Sequence, residues 1–131
     1  MSNVPAELRY TKTHEWVRAL PDGTLEIGIT DHAQHALGDL VFVEVPETGR
    51  TLTLGEPFAV VESVKAASDV YSPVAGEVIA TNSELGTTPE VINTDAYGAG
   101  WLMRIKPSDA GALSKLLSAS DYETQIKAEG G

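Results

Sequence analysis

The stretch "VVESVKAASDVYSPVAGEV", residues 60–78, decides how the chain is read. It admits two readings. As a helix, Val60, Val61 and Val64 share a face and Glu62 makes an i,i+3 pair with Lys65, so the lysine is an ordinary surface charge. As two short strands, the segment turns near "VKAA" and Lys65 stands at or beside a hairpin tip. The β-branched Val60, Val61, Val64 and Val70 cost helix and suit strand. Gly55-Glu56-Pro57 stops the segment on one side, and Pro73 and Gly76 on the other, which leaves two runs of strand length. The strand reading is preferred. The turn contains no Gly, Asn or Pro, so type I geometry is expected, since the types that need positive φ would not tolerate these residues.

Lys65 is also chemically isolated. Between Arg18 and Arg104 the chain has thirteen acidic residues and two bases, Arg50 and Lys65. An amine projected from an exposed tip on a four-carbon stem is a handle that an enzyme can acylate, making the side chain a tether.

The rest of the composition narrows the field. A chain of 131 residues suits one domain with a real core. A net charge of -10 repels phosphate backbones, excludes nucleic acid as a natural partner and favours proteins with basic docking faces. No apolar run approaches the roughly 18 residues that cross a bilayer. The opening "MSNVPAELRY" has neither the basic start nor the apolar stretch of a secretory signal, and no transit peptide is expected, so the cytoplasm of a bacterial-type cell is the expected location. There is no cysteine, so any thiol chemistry must come from an attached group.

Outward from the central segment the pattern is mostly β. "YTKTHEWVRA" and "TLEIGIT" flank "LPDG" and read as a hairpin. "TDHAQHALGD" reads as a short helix near 31–37, capped by Thr30 or Asp31 and closed by Gly38. "LVFVEVPETG", "TLTLGEP", "GEVIATNSEL" and "WLMRIKP" supply further strands, with turn-rich "GTTPEVINTDAYGAG" between the last two. In the tail, Leu113, Leu116 and Leu117 fall at helical spacing, and Ser120 with Glu123 makes a capping-box pattern for a second short helix bearing Tyr122 and Ile126 on one face. Trp16, Phe42 and Trp101 are expected in the core, and Gly76 is assigned to turn geometry. His32 and His35 lie three apart on the predicted helix but lack a third ligand, so no metal is expected.

With these residues in view, the sequence resembles the glycine cleavage system H-protein family of lipoyl carriers. The likeness runs nearly end to end, through "THEWV", "IGITDHAQ", "LGDLVFVEVPETG", "AVVESVKAASDVYSPVAGEV", "VIN" and "YGAGWLMRIKPS". It implies a mainly β fold, a lipoyl-domain-like sandwich of two small antiparallel sheets (a barrel-sandwich hybrid). It implies a single domain over 1–131, with a lipoyl-binding core over 24–106 and a helical C-terminal segment over 108–128 packed on it. It implies that Lys65, the lysine of "ESVKA", carries covalent lipoate and that the protein is a non-catalytic carrier. The implied partners are a pyridoxal-phosphate glycine decarboxylase (P protein), a folate-dependent aminomethyltransferase (T protein), a flavin dihydrolipoamide dehydrogenase (L protein), and a lipoate ligase or lipoyl/octanoyl transferase. The loaded arm is implied to fold into a surface cleft, with Glu15, His32 and Asp69 as candidate contacts. Some relatives carry a histidine directly before the "LG" of the helix; here that position is Ala36, with His35 one place earlier.

Other readings of the lysine predict other neighbours. Biotin carriers flank it with methionines, and acyl-carrying lipoyl domains place Asp before it and hang on long Ala/Pro linkers; here Val64 and Ala66 flank it and no linker exists. A Schiff-base lysine needs a desolvated pocket, which a tip among acids does not provide. An unmodified interaction module would leave Lys65 a plain surface charge.

Overall fold

A computed structural model describes residues 4–109 and 111–129. The "LPDG" turn joins strands β2 (Glu15–Ala19) and β3 (Leu25–Ile29), paired antiparallel from Glu15 opposite Ile29 to Ala19 opposite Leu25. A short β1 (Arg9–Tyr10) flanks β2. Thr30 leaves β3 in extended backbone, and its hydroxyl accepts from the Ala33 N–H at 3.2 Å, starting helix α1 (Asp31–Leu37). Gly38 ends that helix at φ +88°, a conformation that costs glycine little, with its N–H on the Gln34 carbonyl.

The chain then forms β4 (Leu40–Glu44), β5 (Thr51–Leu52), β6 (Pro57–Ser63), β7 (Ala67–Tyr71) and β8 (Gly76–Thr81). A 3-10 turn over Ser83–Gly86 and the one-turn helix α2 (Val91–Thr94) lead to β9 (Met103–Pro107). These strands make a six-stranded sheet in the order β1-β2-β3-β9-β8-β5 and a three-stranded sheet in the order β4-β6-β7. All pairings are antiparallel. The expected mainly β sandwich of two small antiparallel sheets is thus the observed architecture, and the sheets do not close into a barrel.

The segment around Lys65 is two strands and not a helix. Val61 and Val70 from β6 and β7 are buried against Ile27, Val78 and Ile105 of the larger sheet. A second cluster joins Leu8, Tyr10 and Trp16 to Ala119, Tyr122 and Ile126, so the C-terminal helix α3 (Ala119–Ala128) covers the start of the chain. No helix among the described residues is long and apolar enough to cross a membrane.

Four details differ from the sequence-based expectation. Phe42 is 46% exposed because a bulge between Leu40 and Phe42 turns Leu40 and Val43 inward instead. Trp16 is fully buried, but Trp101 is only half-buried, under the Arg104 guanidinium 4.4 Å from its ring, and the strand starts two residues later. In the tail, Leu113 belongs to a 3-10 turn over Ala112–Lys115, while Leu116 is extended and Leu117 bonds through its backbone to Tyr10. Backbone pairing with β1 therefore overrides the helical spacing of the leucines, and Ser118, not Ser120, caps α3 by accepting from the Asp121 N–H. Finally, Gly76 is required by proximity and not by a turn. It lies in β8 opposite Pro107, where a Cβ would enter the van der Waals envelope of the Lys106 carbonyl.

Gly76→Ala is expected to force β8 and β9 apart and to destabilise the fold by about 1–3 kcal/mol. Urea unfolding checks this as a lower midpoint at unchanged slope.

Candidate functional site

The site begins at the β6–β7 tip. Val64 and Lys65 are the two central residues, and neither has positive φ. The Ser63 N–H donates to the Ala66 carbonyl at 2.7 Å. The Ser63 hydroxyl accepts from the N–H groups of Lys65 at 3.2 Å and Ala66 at 3.0 Å. A serine side chain thus satisfies the donors of a turn that has no glycine or asparagine to relax it. The Val64 N–H donates to the Asp39 carbonyl, which props the tip on the corner after α1.

Residues 64–69 are exposed, Lys65 included. The Lys65 stem passes over Gly38, its Cε 3.5 Å from where a Cβ on that glycine would sit. Among the described residues Lys65 enters none of the ion pairs. The amine is open to solvent and to an acylating enzyme.

A cleft of about 560 Å³ opens at the far end of β7. Its walls include Tyr10, Thr11 and Glu15 from the N-terminal hairpin, Tyr71 and Pro73 after the Lys65 strand, and Leu116 and Leu117 from the tail. Lys65 and Tyr71 are six residues apart, about 20 Å along a strand at roughly 3.3 Å per residue. Side chains alternate along β7, so Ala67, Asp69 and Tyr71 share the face opposite buried Val70. Asp69 therefore lies on the strip that leads from the tip to the cleft.

Glu15 lies in the cleft wall and is only 2% exposed. Its Oε1 accepts from the Thr11 hydroxyl at 2.6 Å and from the Thr13 hydroxyl, and its Oε2 from the Tyr71 N–H at 3.4 Å. Burial pushes its pKa above the ordinary glutamate range, and the hydroxyl donors only partly offset this. The result is an acid poised to favour a cation brought beside it.

His32 does not line this cleft. It projects from the first turn of α1 toward His14 and Glu129, while His35, the neighbour expected from helical spacing, is exposed. Tyr71, Thr11, Thr13 and the tail leucines escaped the sequence reading. For Thr11 and Thr13 a signal existed, hydroxyls four and two residues before Glu15 in "TKTHE". For the tail leucines none did, because they reach the cleft only through the Tyr10–Leu117 backbone pair.

The raised Glu15 pKa sets a sign for pH dependence. Its contribution to stability is complete below the unfolded value near 4.5 and is lost as pH rises through the higher folded value. Glu15→Gln, which does not ionise, is therefore expected to gain stability relative to the wild type as pH is raised from the acid range to neutrality. Denaturant unfolding at a series of pH values checks this, and parallel stability curves for the two proteins would rule out the buried-acid assignment.

Comparison with known proteins identifies the family. The model of the family described as glycine cleavage H-protein matches residues 8–129. A glycine cleavage system H protein of Aromatoleum aromaticum is 60% identical over 126 residues, covering 96% of this chain and 98% of that one. One from Psychrobacter sp. is 58% identical over 126 residues, covering 96% and 100%. The crystal structure of a glycine cleavage system H protein from Mycobacterium marinum superposes with a TM-score of 0.86 at 43% identity, covering 95% of this chain and 99% of that one.

Proposed function

The chain belongs to the glycine cleavage H-protein family, and from that premise we propose that Lys65 carries lipoate in amide linkage and that the cleft beneath Tyr71 receives the loaded arm. The carrier role in the glycine cleavage system follows from family membership. The observation that supports this attachment point is the exposed, ion-pair-free amine on a tip held by the Ser63 hydroxyl. Gly38 beneath the stem leaves room for an acylated side chain.

Lipoate, when attached, supplies a disulfide–dithiol pair that accepts the aminomethyl group of glycine, and the chain itself supplies no cysteine to compete by exchange. The residues of this chain position and shield. Asp69 on the β7 strip and Glu15 in the cleft wall attract the cationic amine of the loaded arm. A cation beside buried Glu15 favours its carboxylate, so acid and amine stabilise each other. Tyr71, Pro73 and the tail leucines give the cleft apolar walls that limit access of water. His32, which lies against His14 and Glu129 and not in the cleft lining, takes no part in this reading.

The partners in this proposal are the glycine decarboxylase that loads the arm, the aminomethyltransferase that unloads it, the dihydrolipoamide dehydrogenase that reoxidises it, and the ligase or transferase that installs lipoate. The acidic surface suits basic docking faces on all of them. The cytoplasm is the proposed compartment.

Lys65→Arg keeps the charge but offers no amine to acylate. Intact mass from a lipoate-competent host is expected to show one lipoyl group on the wild type and none on the variant. The variant should fold normally and support no glycine cleavage; unchanged activity would end the assignment. With lipoylation intact, Asp69→Asn is expected to speed hydrolysis of the loaded arm about tenfold, the loss of a contact worth about 1.4 kcal/mol.

A further inference from the structure

Outside the cleft lining, three residues far apart in the chain converge. His14 comes from the loop between β1 and β2, His32 from the first turn of α1, and Glu129 from the residue that caps α3. One ligand atom from each lies within 4.8 Å of the other two. His14 Nε2 is 3.2 Å and His32 Nε2 4.0 Å from Glu129 Oε1. The imidazole rings lie with centroids 4.8 Å apart, tilted by 37°. Two imidazole nitrogens directed at one carboxylate oxygen are each matched to it by an N–H proton or by a shared metal cation.

The surroundings hold these groups in place. His14 Nδ1 is 2.7 Å from the Tyr122 hydroxyl, which is itself 2.7 Å from Thr30 Oγ1. When Nδ1–H donates to Tyr122, the lone pair of His14 Nε2 is left toward Glu129, the tautomer that can ligate a cation; in the other tautomer Nε2–H donates to Glu129. Gln125 Nε2 donates to Glu129 Oε2 at 3.0 Å and to the Lys12 carbonyl at 3.0 Å, leaving Oε1 for the histidines. His14 is the sole non-glycine residue at positive φ among the described residues, at +74°. That backbone costs about 1–2 kcal/mol; it closes the tight β1–β2 turn, in which the His14 N–H donates to the Thr11 carbonyl and the Thr11 N–H to the Glu15 carbonyl, and it sets the direction in which this ring leaves the chain.

We propose that His14, His32 and Glu129 bind a divalent transition-metal ion of the zinc class, with a water as fourth ligand. Two imidazoles and a carboxylate are a donor set that zinc takes in tetrahedral geometry, with bonds of about 2.0–2.2 Å. Such bonds set ligand atoms about 3.4 Å apart, so closing the longest separation here requires a shift of about 1.4 Å. The Glu129 side chain is 43% exposed, which leaves the ion reachable and the fourth position to solvent. Bound there, the ion would pin the end of α3 to α1 and to the loop before β2. The pairing that argued against a metal in the sequence, His32 with His35, is not the one the fold makes.

The test uses tag-free, metal-stripped full-length protein titrated with Zn²⁺ by calorimetry and with Co²⁺ by visible absorption. One equivalent is expected, with a four-coordinate Co²⁺ spectrum and a raised Tm in the presence of Zn²⁺. His14→Asn, which keeps a side chain tolerant of the left-handed backbone, and His32→Gln should each weaken binding at least tenfold, and Tyr122→Phe should weaken it by about tenfold to a hundredfold through the lost outer hydrogen bond. His35→Ala removes the remaining histidine and should change nothing. Absence of binding by the wild type, equal affinity in the folded His14→Asn variant, or loss of binding in His35→Ala would each overturn the proposal.

Discussion

The chain must reverse between β6 and β7 in two residues, Val64 and Lys65, neither of which adopts a left-handed backbone. The Ser63 hydroxyl makes this possible by taking over donors that the turn would otherwise leave unpaired. That economy has consequences on both sides. The tip stays narrow, with Val64 and Lys65 both exposed and the lysine its one charged side chain. The Val64–Asp39 bond then ties the tip to the end of α1, whose position is set by the caps at Thr30 and Gly38. The placement of one amine thus follows from three local hydrogen-bonding solutions in series, each resting on the one before it.

The cleft is assembled differently. No local run of residues forms it. Tyr10 and Tyr122 stack with ring centroids 4.7 Å apart and nearly parallel planes, and Leu117 pairs with Tyr10 through the backbone. The tail is thereby laid along the first strands, and its leucines become a wall of the cleft that Glu15 faces. In a chain of net charge -10 an additional carboxylate on the surface would mean little. A carboxylate in that wall is different, because burial raises the cost of its charge until a cation arrives to share the site.

How much of this was visible in the sequence depends on the range of the interactions. The hairpins, the capped helix after β3 and the lysine tip were legible because each is written within about ten residues in turn chemistry, caps and β-branched runs. The inward set of β4 was not legible, since a bulge reverses the alternation and puts Phe42 outside. The fate of Leu116 and Leu117 was not legible either, because helical spacing lost to pairing with a strand more than a hundred residues earlier. For the candidate site, the exposed place of Lys65 at the tip was readable in its motif, and Glu15 of "THEWV" does line the cleft. The partition of the histidines was not, as His32 meets a histidine from another loop and a glutamate from the far end of the chain.

The contrast between the local hairpin and the distant wall bears on the order in which the protein matures. Synthesis releases the chain from its N-terminus. The strands of the finger spanning Pro57–Tyr71 pair with each other and with β4, and its inner valines gain their remaining cover when β8 and β9 arrive, whereas the chamber at its base stays unroofed until Leu116 and Leu117 have left the ribosome. The strand pair that carries Lys65 is therefore complete in the emerging chain before the residues that roof the cleft. On the carrier reading proposed above, the acceptor amine is made before the wall that would shelter its product.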